Sequence, residues 1–442
     1  MFTMRKVIAL FCGLAVFMMG SVRLFAAPPN IVMIISDDHA WADYSFMGHP
    51  QIQTPNIDKL ASQGITFRRG YVPSSLCCPS LGSIITGLYP HQNKIACNDP
   101  PLPKNAKGKK SSRQDPEYLK SEAEMRTFLN GLTTLPGALG KLGYLSLQTG
   151  KWWLGHFSTA GFTHGMSHGD ITKNGRHGDE GLDIGRKTMQ PIFDFIETAT
   201  KDNKPFFVWY APMMPHDPHN PPERILNKYK AKTSLPMAEY WAMIDWFDET
   251  CGQLMDYLDQ KKLADNTIVV YVTDNGWIQD PDKSNRHLPD KSKLSQYDGG
   301  LRTPIMIRWP GKVKPQMSDS LAMSIDLVPT LLAAVGLKPD AGMQGINLLD
   351  EKAVAARKAI YGECFTHNAV DIHKPATSLC WRWVIEDTWK LIVPASQNKP
   401  KEKIELYNLA KDAKEENNLS GKEAQKVEHL KKLLDQWWPA KE

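Results

Sequence analysis

Short apolar runs that do not alternate with polar residues constrain this chain most. Asn30–Ser36 (NIVMIIS) is one such run, rich in β-branched residues. A strand exposed on one face would alternate, whereas an unbroken run belongs to a strand covered on both faces, as in a parallel sheet. The pattern recurs at residues 65–72, 144–148, 205–210, Thr267–Thr273 and 304–309. Helical stretches lie between these runs. Residues 237–263 are the clearest, carrying Met243, Trp246, Leu254, Met255 and Leu258. Thr54 and Pro55 open another helix as N-cap and first helical residue, and Gly64 closes it. Strands alternating with helices predict a large, mostly parallel α/β sheet flanked by helices.

The texture changes near residue 345. Strand-like pieces at 359–364, 381–385 and 389–393 are followed by an amphipathic stretch at 423–438, with Val427, Leu430, Leu433, Leu434 and Trp437 on one helical face. The reading is a main domain over 27–345 and a smaller α+β subdomain over 346–442, with antiparallel strands and a packing helix.

Residues 1–26 read as an export signal. Arg5 and Lys6 precede an uncharged apolar stretch too short to span a bilayer, and small residues follow at Ala26 and Ala27. The expected location is periplasmic or secreted, with no membrane contact beyond that segment. Of the five net positive charges, Arg5, Lys6 and Arg23 supply three. The remainder is near neutral, so charge gives no reason to expect nucleic-acid binding. Seven cysteines are too few for a dense disulfide framework, and adjacent Cys77 and Cys78 lack zinc-site spacing.

Ligands of parallel sheets bind at the C-terminal ends of the strands. Two oxygen-rich ends stand out. Asp37 and Asp38 follow the first run; adjacent acids repel unless a cation lies between them, and hard oxygen ligands suit calcium or magnesium. Asp274 and Asn275 follow the run ending at Thr273. A helix cap and a plain Asn-Gly turn are the bland alternatives. Cys77-Cys78-Pro79-Ser80 precedes a helix at 81–86, where backbone N–H groups favour an anion; a buried structural thiol is the alternative. Lys151, His216 and Lys293 also neighbour strand ends, but spacing alone does not single them out.

Together these segments resemble the type I sulfatases of the alkaline phosphatase-like superfamily. The resemblance rests on NIVMIISDD (30–38), TPNIDKLASQGITF (54–67), CCPSLGSIITGLYP (77–90), TGKWWLG (149–155), VTDNG (272–276), YDGGLRTP (297–304) and LYNLAKDAKEENNL (406–419), in family order. It implies a sulfuric ester hydrolase acting on a sulfated carbohydrate or aryl sulfate. It implies that Cys77, at the head of the family's C-x-P-x-R motif, is oxidised to formylglycine by a maturation enzyme. One hydroxyl of the hydrated aldehyde then attacks sulfur, and the other expels sulfate. It further implies one calcium ion held by Asp37, Asp38, Asp274, Asn275 and the modified Cys77. Lys151 and Lys293 match the family's sulfate-binding lysines, and His216 the histidine near the leaving oxygen.

Two positions depart from the family. Leu81 replaces the arginine that ends the cysteine motif. Trp153 replaces the histidine that takes a proton during sulfate elimination, and His156 is the nearest histidine in sequence that could substitute. Asp298 stands where the family has glutamate, a change expected to be neutral. Two further readings stay open on the same fold: phosphodiester or phosphonate hydrolysis, and a non-catalytic sulfated-glycan-binding relative. The basic stretch 104–113 (KNAKGKKSSR) is read as a solvated loop with the charge to meet an anionic polymer.

Overall fold

The computed structural model describes residues 27–104, 113–170, 175–282 and 289–440. The leader read at 1–26, and residues 105–112 of the basic stretch, lie outside them. Among the described residues no helix is long and apolar enough to cross a membrane.

The apolar runs form the strands of an eight-stranded sheet. In chain order these are β1 (Asn30–Ser36), β2 (Ile65–Tyr71), β3 (Leu145–Gly150), β4 (His164–Gly165), β5 (Phe206–Ala211), β6 (Thr267–Thr273), β7 (Arg302–Arg308) and β8 (Gln316–Met323). Their spatial order is β4-β3-β5-β1-β6-β7-β2-β8. Every pairing is parallel except those of β7, which runs antiparallel to both β6 and β2. The run at 304–309 has the same apolar look as its parallel neighbours, so sequence alone did not reveal this reversal. β1 and β6 are buried at every residue, as expected of strands covered on both faces.

Two apolar layers cover the sheet. On one side Ile31, Met33, Phe207 and Val270 pack with Leu81, Ile84 and Leu331; on the other Val32, Ile34, Val208 and Tyr271 pack with Ile57, Phe247 and Leu254. Helix α1 (Pro55–Gln63) begins after Thr54, but the threonine hydroxyl does not cap it. Its Oγ1 donates instead to Asp58 Oδ1 at 2.8 Å. The free N–H groups of Asn56 and Ile57 go to the buried carboxylate of Asp248, at 3.2 and 2.7 Å. Asp248 lies on the long helix Leu235–Gln260, so the cap is tertiary rather than local.

The second sheet contains β9 (Ala359–Phe365), β10 (Leu379–Glu386), β11 (Trp389–Pro394) and β12 (Glu405–Asn408), all antiparallel in the order β12-β11-β10-β9. The helix Ala424–Trp437 lays Leu430 and Leu434 against Val384, Leu391 and Leu406. The two sheets are joined by buried charge. Lys390, on β11, is fully buried and reaches Asp298 Oδ1 at 2.9 Å and Glu415 Oε1 at 2.8 Å. Asp298 also accepts the Tyr71 hydroxyl at 3.0 Å. Asp298 is therefore a buried member of this network.

Candidate active site

Six of the residues singled out in the sequence (Asp37, Asp38, Lys151, His216, Asp274 and Asn275) arrive at one sheet edge because β1, β6, β5 and β3 are neighbours with parallel C-terminal ends. Asp37 N–H donates to the Met214 carbonyl at 3.0 Å, and Asp274 N–H to the Ser36 carbonyl at 2.9 Å, so the strand ends are tied directly together. Asp38 takes a positive φ of 55°, which turns its carboxyl back over the sheet edge. Lys151 follows Gly150, whose φ is +76° and whose Cα faces the Ala211 carbonyl so closely that an added Cβ would lie 1.8 Å from that oxygen. Only glycine fits such an approach. His216 stands between two cis X-Pro bonds, and Arg186 holds its segment by donating to the carbonyls of Met213 (2.7 Å) and His216 (2.8 Å).

The carboxylates converge on the buried Lys151 and the partly buried Lys293. Lys151 Nζ lies 2.6 Å from Asp37 Oδ1 and 3.0 Å from Asp274 Oδ2. Lys293 Nζ lies 2.6 Å from Asp38 Oδ1. His216 Nε2 is 3.4 Å from Asp38 Oδ2, and its Nδ1 faces Asp217 Oδ1 at 2.7 Å. Asn275 donates from Nδ2 to Asp38 Oδ1 at 2.6 Å. Burial opposes charge on Asp38, but Lys293, His216 and Lys151 outweigh it and hold its carboxyl well below the usual range. Burial, then repulsion from Asp37, pushes Asp274 up to about 6. Burial works against the charge of Lys151, yet Asp274 and Asp37 raise it well above a normal lysine. His216 is likewise raised by Asp37 and Asp38 against its burial.

Two oxygens are left over. Asp37 Oδ2 and Asn275 Oδ1 are buried and have no hydrogen-bond partner. Orphaned buried oxygens are costly. Donor atoms of Asp37, Cys77 and Asp274 lie within 4.8 Å of one another, as do those of Asp37, Asp38 and His216. An oxygen-rich cluster with unsatisfied acceptors fits a hard divalent cation.

Cys77 is the first residue of α2 (Cys77–Thr86), which starts four residues earlier than the pattern suggested. Pro79 falls in the first turn, where its missing N–H is no loss. The Cys78 N–H at this helix start goes to Asn98 Oδ1 at 2.9 Å. Cys77 is 1% exposed, and burial pushes its thiol up to about 11 against the pull of Lys151 and Lys293. One helical turn on, Leu81 is fully buried in the apolar layer, so its side chain brings no charge to the centre.

Trp153 is half-buried. The Arg176 guanidinium lies 4.2 Å from its ring centroid and the His177 ring 4.5 Å. Asp99 holds Arg176 through Nε at 3.1 Å and through Nη2. The His177 carbonyl accepts the Trp152 N–H at 2.8 Å. Burial, then the charges of Arg176, Lys151 and His216, pushes His177 down to about 2, so the ring is neutral. His156 is exposed, with Nδ1 facing Ser158 Oγ at 2.8 Å, and it shares none of the centre's contacts. The histidine beside the substituted tryptophan is therefore His177. Sequence gave no signal for it, since it arrives on a loop with no strand end or motif.

A family model described as Sulfatase matches residues 29–337, and one described as N-sulphoglucosamine sulphohydrolase, C-terminal, matches residues 290–438. The chain belongs to the sulfatase family. Human N-acetylgalactosamine-6-sulfatase is 28% identical over 371 residues, which cover 73% of this chain and 65% of that protein. N-acetylgalactosamine-6-O-sulfatase of Bacteroides thetaiotaomicron is 25% identical over 512 aligned positions, covering 92% of each. A solved structure of a protein with its substrate D-glucosamine-2-N,6-O-disulfate shares the fold, with a TM-score of 0.70, 22% identity, and coverage of 93% of this chain and 98% of the other.

Proposed function

We propose that this protein is an exported sulfuric ester hydrolase that removes sulfate from a sulfated carbohydrate, using a formylglycine made from Cys77. The observation that carries the reading is the juxtaposition of Cys77, at a helix start, with buried acids that leave two oxygens unpartnered and with two lysines, Lys151 buried and Lys293 partly so. Relatives named for sulfated-sugar hydrolysis support the substrate class.

Asp37, Asp38, Asp274 and Asn275 would hold a calcium ion, which supplies Lewis-acid polarisation of a sulfate oxygen. The formylglycine supplies a hydrated aldehyde in place of a thiol; the buried thiol, at about 11, would itself be a poor nucleophile at neutral pH. The rest falls to the chain's own side chains. Lys151 and Lys293 stay charged and bind the sulfate oxygens. His216, whose protonated form Asp37 and Asp38 favour against its burial, donates toward the leaving-group oxygen. Lys151 orients Asp37 and Asp274 by bridging them. The half-buried Trp153 and neutral His177 stand with the Arg176 guanidinium, which lies over the tryptophan ring.

Turnover of sulfated monosaccharides by protein produced with a formylglycine-generating enzyme tests the reading. Sulfate release that disappears in Cys77→Ala is expected. Hydrolysis of phosphodiesters without sulfate release would favour the phosphoryl alternative, and binding without turnover would favour the non-catalytic one.

A further inference from the structure

Lys293 also lines a groove. An open cleft of about 440 Å³ runs from it to the second sheet, past Lys291, Tyr297, Trp381, Lys399 and Glu402. Small-ligand sites have volumes of about 300–1,000 Å³. One wall is the segment that carries Lys293. The other is β10 with the turn that follows β11, docked by the Ala395 N–H on the Cys380 carbonyl at 2.8 Å.

The groove's cations differ in what they are free to do. Lys291 is committed: its Nζ donates to the carbonyls of Lys414 at 3.0 Å and Glu415 at 2.6 Å. It ties the Lys293 segment to the loop at 414–415. Lys399 is held differently. Its ammonium lies 4.1 Å from the centroid of the Trp381 ring, and no carboxylate among the described residues is within 4.0 Å of it. A lysine seated on an indole is fixed in position without being neutralised. Glu402 and Asp290 add acceptors for hydroxyl groups along the same cleft.

We propose that this groove is a subsite for the sugar next to the sulfated one, and that Lys399 pairs with a carboxylate on that neighbour. The proposal rests on the sulfatase reading above and adds a substrate class to it: an acidic oligosaccharide rather than an isolated sulfated sugar. The sulfate that reaches Lys293 and the acidic group that reaches Lys399 belong to adjacent residues of one glycan. Lys399 is a specificity residue in this reading and takes no part in the bond cleavage.

The test compares wild type, Lys399→Ala and Lys399→Arg on 4-nitrophenyl sulfate and on sulfated disaccharides derived from chondroitin and heparin. The same disaccharides with the uronate reduced to an alcohol serve as controls. Lys399→Ala is expected to raise KM for the uronate disaccharide about tenfold, or ~1.4 kcal/mol. It should leave 4-nitrophenyl sulfate and the reduced disaccharides unchanged, and arginine should restore most of the loss. Equal effects on all substrates, or none on any, would overturn the subsite. If wild type releases no sulfate from anything, the sulfatase reading fails on its own account. Calorimetry on the Cys77→Ala protein then still decides the groove. About tenfold weaker disaccharide binding on adding Lys399→Ala supports it, and unchanged binding overturns it.

Discussion

Binding of a calcium ion at this centre would raise the stability of the chain by an amount that can be worked from its geometry. Asp37, Asp38 and Asp274 are 2%, 5% and 0% exposed. Lys151, Lys293 and the raised His216 offset their charge but leave the two orphaned oxygens of Asp37 and Asn275. A divalent cation satisfies both. An ion that binds only the folded chain stabilises it by RT ln(1 + [L]/Kd), about 2.7 kcal/mol at a hundredfold excess over Kd. Unfolding entropy is about 2.1 cal/mol/K per residue, which for 442 residues comes to about 0.9 kcal/mol/K. The Tm should therefore rise by about 3 °C. Differential scanning calorimetry of EGTA-stripped protein, with and without added calcium, measures it. Asp37→Asn and Asn275→Ala should each abolish or sharply reduce the rise. A wild-type Tm indifferent to calcium, or a rise that survives in both variants, would refute the cation centre.

Other expectations follow from the same packing. Lys390→Met strands two buried carboxylates, and losing one partner of a buried ion network costs about 3–5 kcal/mol in urea denaturation. Adding Glu415→Gln to that variant should recover part of the loss. Burial pushes Glu415 up to about 7 against the pull of Lys390. A carboxyl raised above its unfolded value favours folding at low pH, so its contribution should fall away as pH rises from about 4.5 to about 7. Glu415→Gln should flatten the stability profile across that window and leave it unchanged above it. Gly150→Ala puts a Cβ 1.8 Å from the Ala211 carbonyl at a left-handed φ. It should destabilise by more than about 1 kcal/mol and, by displacing Lys151, reduce sulfate release at least tenfold.

The strands that carry the site were legible because burial on both faces leaves an unbroken apolar run. β1 and β6 begin and end where the sequence pattern does, and the acids immediately after them mark the ligand edge. β8 was not legible: its first half is largely exposed, QMSDSLAM has no continuous run, and its partner β2 lies over two hundred residues away. β4 and β12 have two and four residues, too few to show any period. The direction of β7 was hidden because antiparallel pairing inside a covered sheet demands the same apolar residues as parallel pairing. The cap on α1 was misread because Asp248 lies nearly two hundred residues from the N–H groups it accepts, whereas Thr54 is adjacent. His177 and Arg176 were missed for the same reason. Their relation to Trp153 is set by a loop folding back over β3, where Gly178 packs on the Gly150 carbonyl, and nothing local in the sequence encodes it.

The central claim is that Cys77 is the nucleophile precursor even though Leu81 replaces the motif arginine. Mass spectrometry of the peptide containing Cys77, from protein coexpressed with a formylglycine-generating enzyme, tests it most directly. The expected peptide has lost the elements of H₂S and gained one oxygen, with sulfate release proportional to its fraction. Sulfate release from protein whose Cys77 is wholly an unmodified thiol, or a fully converted Cys77 with no release from any sulfated sugar, would contradict it.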